Sequence, residues 1–252
     1  MTKSVVTNRE LWKKIYKMYM VDNIPVNEIA DRLGYSDYTA VNNLRDKFGL
    51  PPRTKDWLYS EYAKSMFTDE QEQIILGGVL GDGCIQARTS RNPIYTETHS
   101  VHQLEYINWK QTKLYPFAQK VTIGHKETQA QIRSVAMPQL RFYRNVFYPQ
   151  GKKIIPVEAV DWFEALAIAV WYMDDGTITK KEQQIKLATS GFDIRINGML
   201  QGMLAIKFGV YSYMYVEKGQ YPRLVLMKES NNKFLDLVEP YIVPSMRYKL
   251  GQ

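Results

Sequence analysis

The chain has 252 residues with 33 Lys and Arg against 26 Asp and Glu, a net charge of +7, and 45% hydrophobic content. This is a globular composition whose excess of cations favours a polyanionic partner such as nucleic acid. No run of 18 apolar residues occurs, which excludes a membrane-spanning helix, and the opening MTKSVVTNRELWKK lacks the apolar centre of a secretion signal. A single cysteine, Cys84, excludes an internal disulfide and a cysteine-built zinc site, so an intracellular protein is expected.

In chain order, the first elements form a small helical unit. RELWKKIYKMYMVD sets Leu11, Ile15, Met18 and Tyr19 at helical spacing. PVNEIADRLG is entered at Pro25, carries Ile29 and Leu33 on one face and stops at Gly34. DYTAVNNLRDKFG sets Val41, Leu44 and Phe48 on one face and ends at Gly49. Two short helices across a tight, glycine-containing turn resemble the helix-turn-helix of bacterial regulators and recombinases. That resemblance implies DNA contacts from Tyr38, Thr39, Asn42, Asn43 and Arg45 on the second helix, since Asn and Arg suit major-groove base edges. A helical packing module without DNA contact is the alternative. The prolines of PPRTKDW mark a boundary, making residues 1–52 an expected helix-turn-helix domain and 53–68 a linker or extra helix.

From residue 69 the pattern repeats. The first copy predicts a helix over 69–81, strands in GDGCIQAR and IYTETHSV, a helix over 103–117, strands in KVTIGHK and QAQIRSVAM, and a helix over 138–147. The second predicts a helix over 159–173, strands in DGTITK and QIKLATS, a helix over 193–208, strands in VYSYMYVE and YPRLVLM, and a helix over 229–238. Both read αββαββα. Asp82 and Asp175 open the first strand of each copy, 93 residues apart. A basic segment closes each copy, with Lys153 71 residues after Asp82 and Lys249 74 residues after Asp175.

ILGGVLGDGCI, which contains Asp82, admits several readings. A phosphate loop would need Lys and Ser or Thr where Cys84 and Ile85 stand, and a dinucleotide fingerprint would need a third glycine opening a helix. Asp82 and Asp175 as simple turn residues before glycine remain an alternative. A helix–helix contact accounts for more. Gly77 and Gly81 share a helical face, as do Ala165 and Ala169 in the second copy, and small residues allow close approach. Packing those helices would bring Asp82 and Asp175 together at two helix C-termini, where the dipole disfavours anions and the pair repels itself. A divalent cation relieves both penalties, and oxygen ligands select Mg²⁺, with Mn²⁺ as a substitute.

ILGGVLGDG and IAVWYMDDG resemble the paired motifs of LAGLIDADG homing endonucleases in their single-chain form. The first matches the nine-residue pattern at its third, eighth and ninth positions. The second carries Val170 where the family usually has glycine, followed by the bulky Trp171 and Tyr172. The resemblance covers about residues 69–250, including KKIIP and EPYIVPSMRYKL, and leaves the N-terminal unit as an addition. It implies an α+β fold: a pseudo-symmetric duplicated αββαββα saddle of two antiparallel sheets, with repeats at 69–156 and 157–252. It implies a monomer with a pseudo-twofold axis, in a bacterial or phage cytoplasm or an organelle matrix.

The implied activity is site-specific cleavage of both strands of DNA at a long target by metal-assisted phosphodiester hydrolysis. Asp82 and Asp175 would be the metal-binding catalytic carboxylates. Gly81 and Asp174 would contribute there through backbone carbonyls. Lys153 and Lys249 would match the lysines that polarise water and stabilise phosphate charge. Counting by two along the strands names Cys84, Gln86, Arg88, Gln131, Arg133, Thr177, Thr179, Lys181, Gln184, Lys186, Tyr213 and Arg223 for base or phosphate contact. His99, His102 and His125 show no metal spacing and are expected at the surface or groove. An intron-splicing maturase or a transcriptional regulator on the same scaffold is the alternative function. A non-nucleic-acid enzyme would need a nucleophile–base constellation that is not evident.

Overall fold

Two consecutive αββαββα units, each with the same strand order, follow an N-terminal group of three helices in the computed structural model, which describes residues 8–52, 62–87, 92–124, 126–179, 183–219 and 221–251. Helix α1 (Arg9–Tyr16) is capped by the Asn8 side chain and runs on through a π-turn at Lys17–Val21. Helix α2 (Val26–Leu33) stops at Gly34, whose φ of +74° is a conformation that favours glycine. Helix α3 (Tyr38–Phe48) starts at Asp37, whose side chain accepts from the Thr39 N–H, and stops at Gly49. These helices share a core with the first αββαββα unit. Trp12 stacks on Phe142 with centroids 4.4 Å apart, and Phe48 meets the same ring edge-on.

Helix α4 (Asp69–Leu80) opens on a capping box between Thr68 and Gln71 and is buried all round from Gln71 to Leu80. Strands β1 (Cys84–Gln86), β2 (Ile94–Ser100), β3 (Thr122–Gly124) and β4 (Gln129–Arg133) form an antiparallel sheet in the order β1-β2-β4-β3. Helices α5 (Leu104–Lys113) and α6 (Gln139–Phe147) complete the first unit. The second unit has helix α7 (Ala165–Asp175), strands β5 (Gly176–Ile178), β6 (Ile185–Ala188), β7 (Ser212–Glu217) and β8 (Tyr221–Leu226) in the order β5-β6-β8-β7, and helices α8 (Ile194–Phe208) and α9 (Asn231–Val238).

Three boundaries differ from the periodicity. The helix expected over 159–173 divides into a 3-10 segment, Val157–Trp162, and α7, with extended backbone at Phe163 and Glu164 between them. The helix expected over 103–117 begins as a 3-10 turn and ends at Lys113, shortly before Pro116, which removes a backbone donor. The aspartates do not open strands. Asp175 is the last residue of α7, whereas Asp82 lies beyond α4, because the chain leaves the helix at Gly81 with φ −101° and ψ −129°.

Helices α4 and α7 pack against each other at the centre. A side chain added at Gly77 would sit 2.5 Å from the Ala167 carbonyl oxygen and 2.6 Å from Val170 Cβ, so the absence of one sets the approach. The contact register therefore falls on Ala167 and Val170 rather than on the expected Ala165 and Ala169. Among the described residues no helix is long and apolar enough to cross a membrane.

Candidate metal centre and nucleic-acid interface

The helix ends bring three aspartates together. Burial pushes the Asp175 carboxyl up to about 7, helped by repulsion from Asp82 and Asp174. Asp82 is the exposed member, with 44% of its side chain accessible. The Asp174 side chain is fully buried and turns away from solvent, accepting from Tyr106 Oη at 2.7 Å and Lys110 Nζ at 2.9 Å. Burial, and then the charge of Glu97, raise its carboxyl to about 6. The Asp174 side chain, and not only the carbonyl expected from the sequence, thus belongs to the site. Its Oδ2 also accepts from the Asp82 N–H at 3.4 Å.

Each lysine grips the backbone around one aspartate. Lys153 Nζ donates to the carbonyls of Gly81 and Gly83, both at 3.0 Å, which bracket Asp82. Lys249 Nζ donates to Gly176 O at 2.9 Å and to Met173 O, with Tyr172 O at 3.3 Å and Asp174 O at 3.4 Å, which together bracket Asp175. Burial lowers the pKa of both ammoniums, with the neighbouring aspartates opposing that shift. Gly81 contributes its carbonyl to Lys153 and leaves room for Asp174, whose Oδ2 would lie 2.5 Å from a side chain there.

His99 corrects the expectation of a surface or groove histidine. It lies on the core face of β2, only 2% exposed, with Nδ1 3.7 Å from Asp82 Oδ2 and Nε2 2.5 Å from Glu97 Oε1. Burial draws its pKa down, but the bond and charge of Glu97 prevail and raise it. Asp82, His99 and Asp174 can each offer one ligand atom within 4.8 Å of one another. Asp174 is held by Lys110 and Tyr106 and His99 by Glu97, so both side chains are committed beside Asp82, whose carboxylate is the exposed one of the three and open to a divalent cation. A readable signal existed in the alternation Tyr95, Glu97, His99, which places an acid and an imidazole on the buried face of a strand. His102 is exposed and His125 lies outside the described residues.

Strand register gathers the sequence-predicted contact residues on one face of each sheet. Cys84 pairs with Thr96 and Thr96 with Arg133, while Thr98 pairs with Gln131 and Gln131 with Thr122. Gln86 shares that face. On the second sheet Thr177 pairs with Lys186, Lys186 with Val225, and Val225 with Tyr213, with Arg223 on the same face opposite Tyr215. Gln184 donates to Tyr213 Oη at 3.5 Å and bonds Thr179 beside it. Arg223 is already paired with Glu217 at 2.6 Å, and Gln131 donates to Thr98. Arg88 and Lys181 lie outside the described residues. The sequence reading missed Tyr215 and Tyr221, 51% and 48% exposed, which extend the second face.

On α3, Tyr38, Thr39 and Asn43 are exposed. Arg45 instead folds back, its guanidinium 4.3 Å from the Tyr19 ring and its Nη1 bonded to Asn42. Those two side chains are committed within the helical unit.

Comparison with known proteins agrees with this geometry. Residues 72–234 match the model of the LAGLIDADG DNA endonuclease family. The structure resembles the homing endonuclease I-WcaI, solved bound to its DNA recognition sequence, at 25% identity and a TM-score of 0.65, covering 82% of this chain and 96% of that one. An uncharacterised protein of Methanocaldococcus jannaschii is 29% identical over 94% of each chain. Protein RecA of Mycolicibacterium flavescens is 30% identical over 73% of this chain but 47% of its own length, so the chain spans about half of the RecA relatives it matches. A cytochrome b mRNA maturase of Debaryomyces hansenii is 36% identical over 42% of this chain and 40% of its own. With the motif helices packed, the aspartates at their ends and two matching antiparallel sheets, the chain belongs to the LAGLIDADG DNA endonuclease family.

Proposed function

We propose that the chain is a site-specific, divalent-metal-dependent endonuclease that cuts both strands of a long DNA target. The observation that carries this reading is the doubled arrangement of one aspartate at each motif helix end with one lysine clamped across its turn. A protein that only binds DNA has no need of self-repelling carboxylates at its centre. Asp82 and Asp175 would hold the cation, with Mg²⁺ the expected ion and Mn²⁺ able to replace it. When bound, it would supply Lewis-acid charge against the scissile phosphate. Lys153 and Lys249 fix the backbone that aims each carboxylate, and their ammoniums add positive charge beside the phosphate path.

In this reading the polar sheet faces, with Gln86, Arg133, Gln131, Thr177, Lys186, Tyr213 and Arg223, follow the DNA groove. The two units, 69–156 and 157–252, serve as pseudo-symmetric repeats of one monomer. Helices α2 and α3 add contacts beyond the first repeat through Tyr38, Thr39 and Asn43. Likeness to a maturase over part of the chain supports a second reading, RNA-splicing assistance on the same scaffold. Incubating purified protein with a randomised or genomic DNA library and Mg²⁺, then sequencing the cut ends, tests the first. A defined site cut on both strands is expected; binding without cutting under Mg²⁺ and Mn²⁺ overturns it.

A further inference from the structure

The two repeats are not equivalent around their aspartates. Cys84, two residues after Asp82, pairs with Thr96, and Thr177, two residues after Asp175, pairs with Lys186. The spacing from Thr96 to Lys186 recurs between the helix caps Gln103 and Asp193, so the second strands and second helices align without a gap. On that alignment Tyr95, Glu97, His99, Tyr106 and Lys110 of the first repeat correspond to Ile185, Leu187, Thr189, Ile196 and Leu200 of the second. One repeat holds a buried charged cluster where its twin has an ordinary core.

The cluster is tightly bonded. Lys110, with no exposed side-chain area, bridges Glu97 and Asp174; Tyr95 donates to Glu97; His99 joins Glu97 and approaches Asp82. It also accounts for three glycines of the first motif. Side chains added at Gly78 and Gly83 would strike Tyr95 Oη at 1.9 and 2.5 Å, and one at Gly81 would strike Asp174. Trp171 stands at the position of Gly78 in the second motif, where no such cluster needs the space. In the counterpart place, Thr189 bonds Asn197 and the Pro222 carbonyl.

Stability does not explain this arrangement. Exchanging a buried ionic cluster for apolar side chains of similar volume is often neutral or stabilising, and the second repeat is a worked instance of that exchange. What the cluster alone supplies is two contacts to Asp82: Asp174 Oδ2 on its N–H at 3.4 Å, and His99 Nδ1 at 3.7 Å from its carboxylate. On the endonuclease reading, we propose that His99 is a positioning residue for the Asp82 carboxylate with no counterpart at Asp175, so that the two cleavage centres are unequal and one DNA strand is cut through a support that the other does not use.

The test uses the duplex recovered by selection, labelled separately on each strand, under single turnover. His99→Thr installs the second repeat's residue, and His99→Gln keeps a polar side chain while removing the imidazole. Both are expected to slow the same single strand by roughly 10- to 100-fold, the usual effect of removing a supporting partner of a metal-site ligand. The other strand should change by less than about threefold, so nicked duplex accumulates. Thr189→Ala, at the counterpart position, should leave the ratio of the two rates unchanged. Thermal unfolding separates positioning from folding: His99→Gln should keep the melting temperature and still bias the strands.

Equal slowing of both strands, or no change in either, overturns the proposal. Titration of Mn²⁺ into the protein gives a readout independent of cutting: His99→Thr should weaken Mn²⁺ binding, whereas Thr189→Ala should leave it unchanged. A wild-type chain that cuts neither strand would refute the endonuclease reading. In that case equal Mn²⁺ affinity of the His99→Thr and Thr189→Ala variants would still overturn the inequality.

Discussion

The two repeats share one strand order and one placement of aspartate and lysine, yet they reach it with opposite interiors. In the first, Lys110, Glu97 and His99 meet inside the protein and reach across to Asp174 of the second repeat's motif helix. In the second, Leu187, Leu200 and Leu224 fill the corresponding layer. The comparison separates what the fold demands from what the site demands. An apolar core is enough to hold four strands and three helices, so the charged cluster answers to something at the Asp82 end of the helix pair.

The largest effect should come from the feature that the repeats share. Asp82→Asn or Asp175→Asn is expected to reduce double-strand cleavage by about a thousandfold or more, because several kcal/mol of transition-state charge stabilisation depend on the held cation. DNA binding should remain, and either variant cutting at the wild-type rate in Mg²⁺ would sink the two-carboxylate mechanism.

Next come paired substitutions that break the symmetry. Lys110→Met leaves Glu97 and Asp174 buried with less compensation and should cost about 3–5 kcal/mol in denaturant unfolding. Leu200→Met at the matching position should cost less than about 1.5 kcal/mol. Equal costs would mean that the two interiors are energetically alike. The N-terminal helices sharpen the contrast, since they bond to the first repeat. Burial pushes the Glu72 carboxyl up, but Arg9 and Lys13, with the Tyr143 hydroxyl, outweigh it and hold the pKa below the usual range. That stabilisation is present above the ordinary glutamate pKa and is lost as pH falls through the lowered folded value. Arg9→Met should cost about 1.5–3 kcal/mol at neutral pH, the worth of a charged hydrogen bond. The difference from wild type should shrink to nothing in acid; a gap that stays constant with pH rules out this origin.

Gly77→Ala pushes against the Ala167 carbonyl and is expected to cost about 1–3 kcal/mol, visible as a lower melting temperature. An effect no larger is expected at α3. Replacing both Thr39 and Asn43 with alanine should weaken binding to the selected duplex by about 1–3 kcal/mol if they read a base edge. Arg45→Ala should act through the Tyr19 contact on stability instead. Unchanged affinity in the double variant would make α2 and α3 a structural attachment to the first repeat.

Much of this was legible from the chain alone. Repeated periodicity disclosed the duplication, and the spacing of Asp82 to Lys153 and Asp175 to Lys249 marked the pairs that the fold assembles. Alternation along the strands selected one polar face, because side chains on a pleated strand take opposite sides by geometry. The helix ends were less legible: Asp175 stays helical and Asp82 does not, a difference set by Gly81. Arg45 looked free because periodicity places a residue on a helix face without saying that Tyr19 lies beside it.

By itself, then, the sequence determined the local patterns: two αββαββα units, a glycine where helices approach, and an aspartate and a lysine in each unit. Only the tertiary structure decided that Asp174 crosses to Lys110, that His99 faces Asp82, and that three of the first motif's glycines make room for that cluster. Periodicity reports which side of an element a residue takes. What waits on that side comes from segments distant in the chain, and for buried charges the partner decides whether the group is a liability or a support.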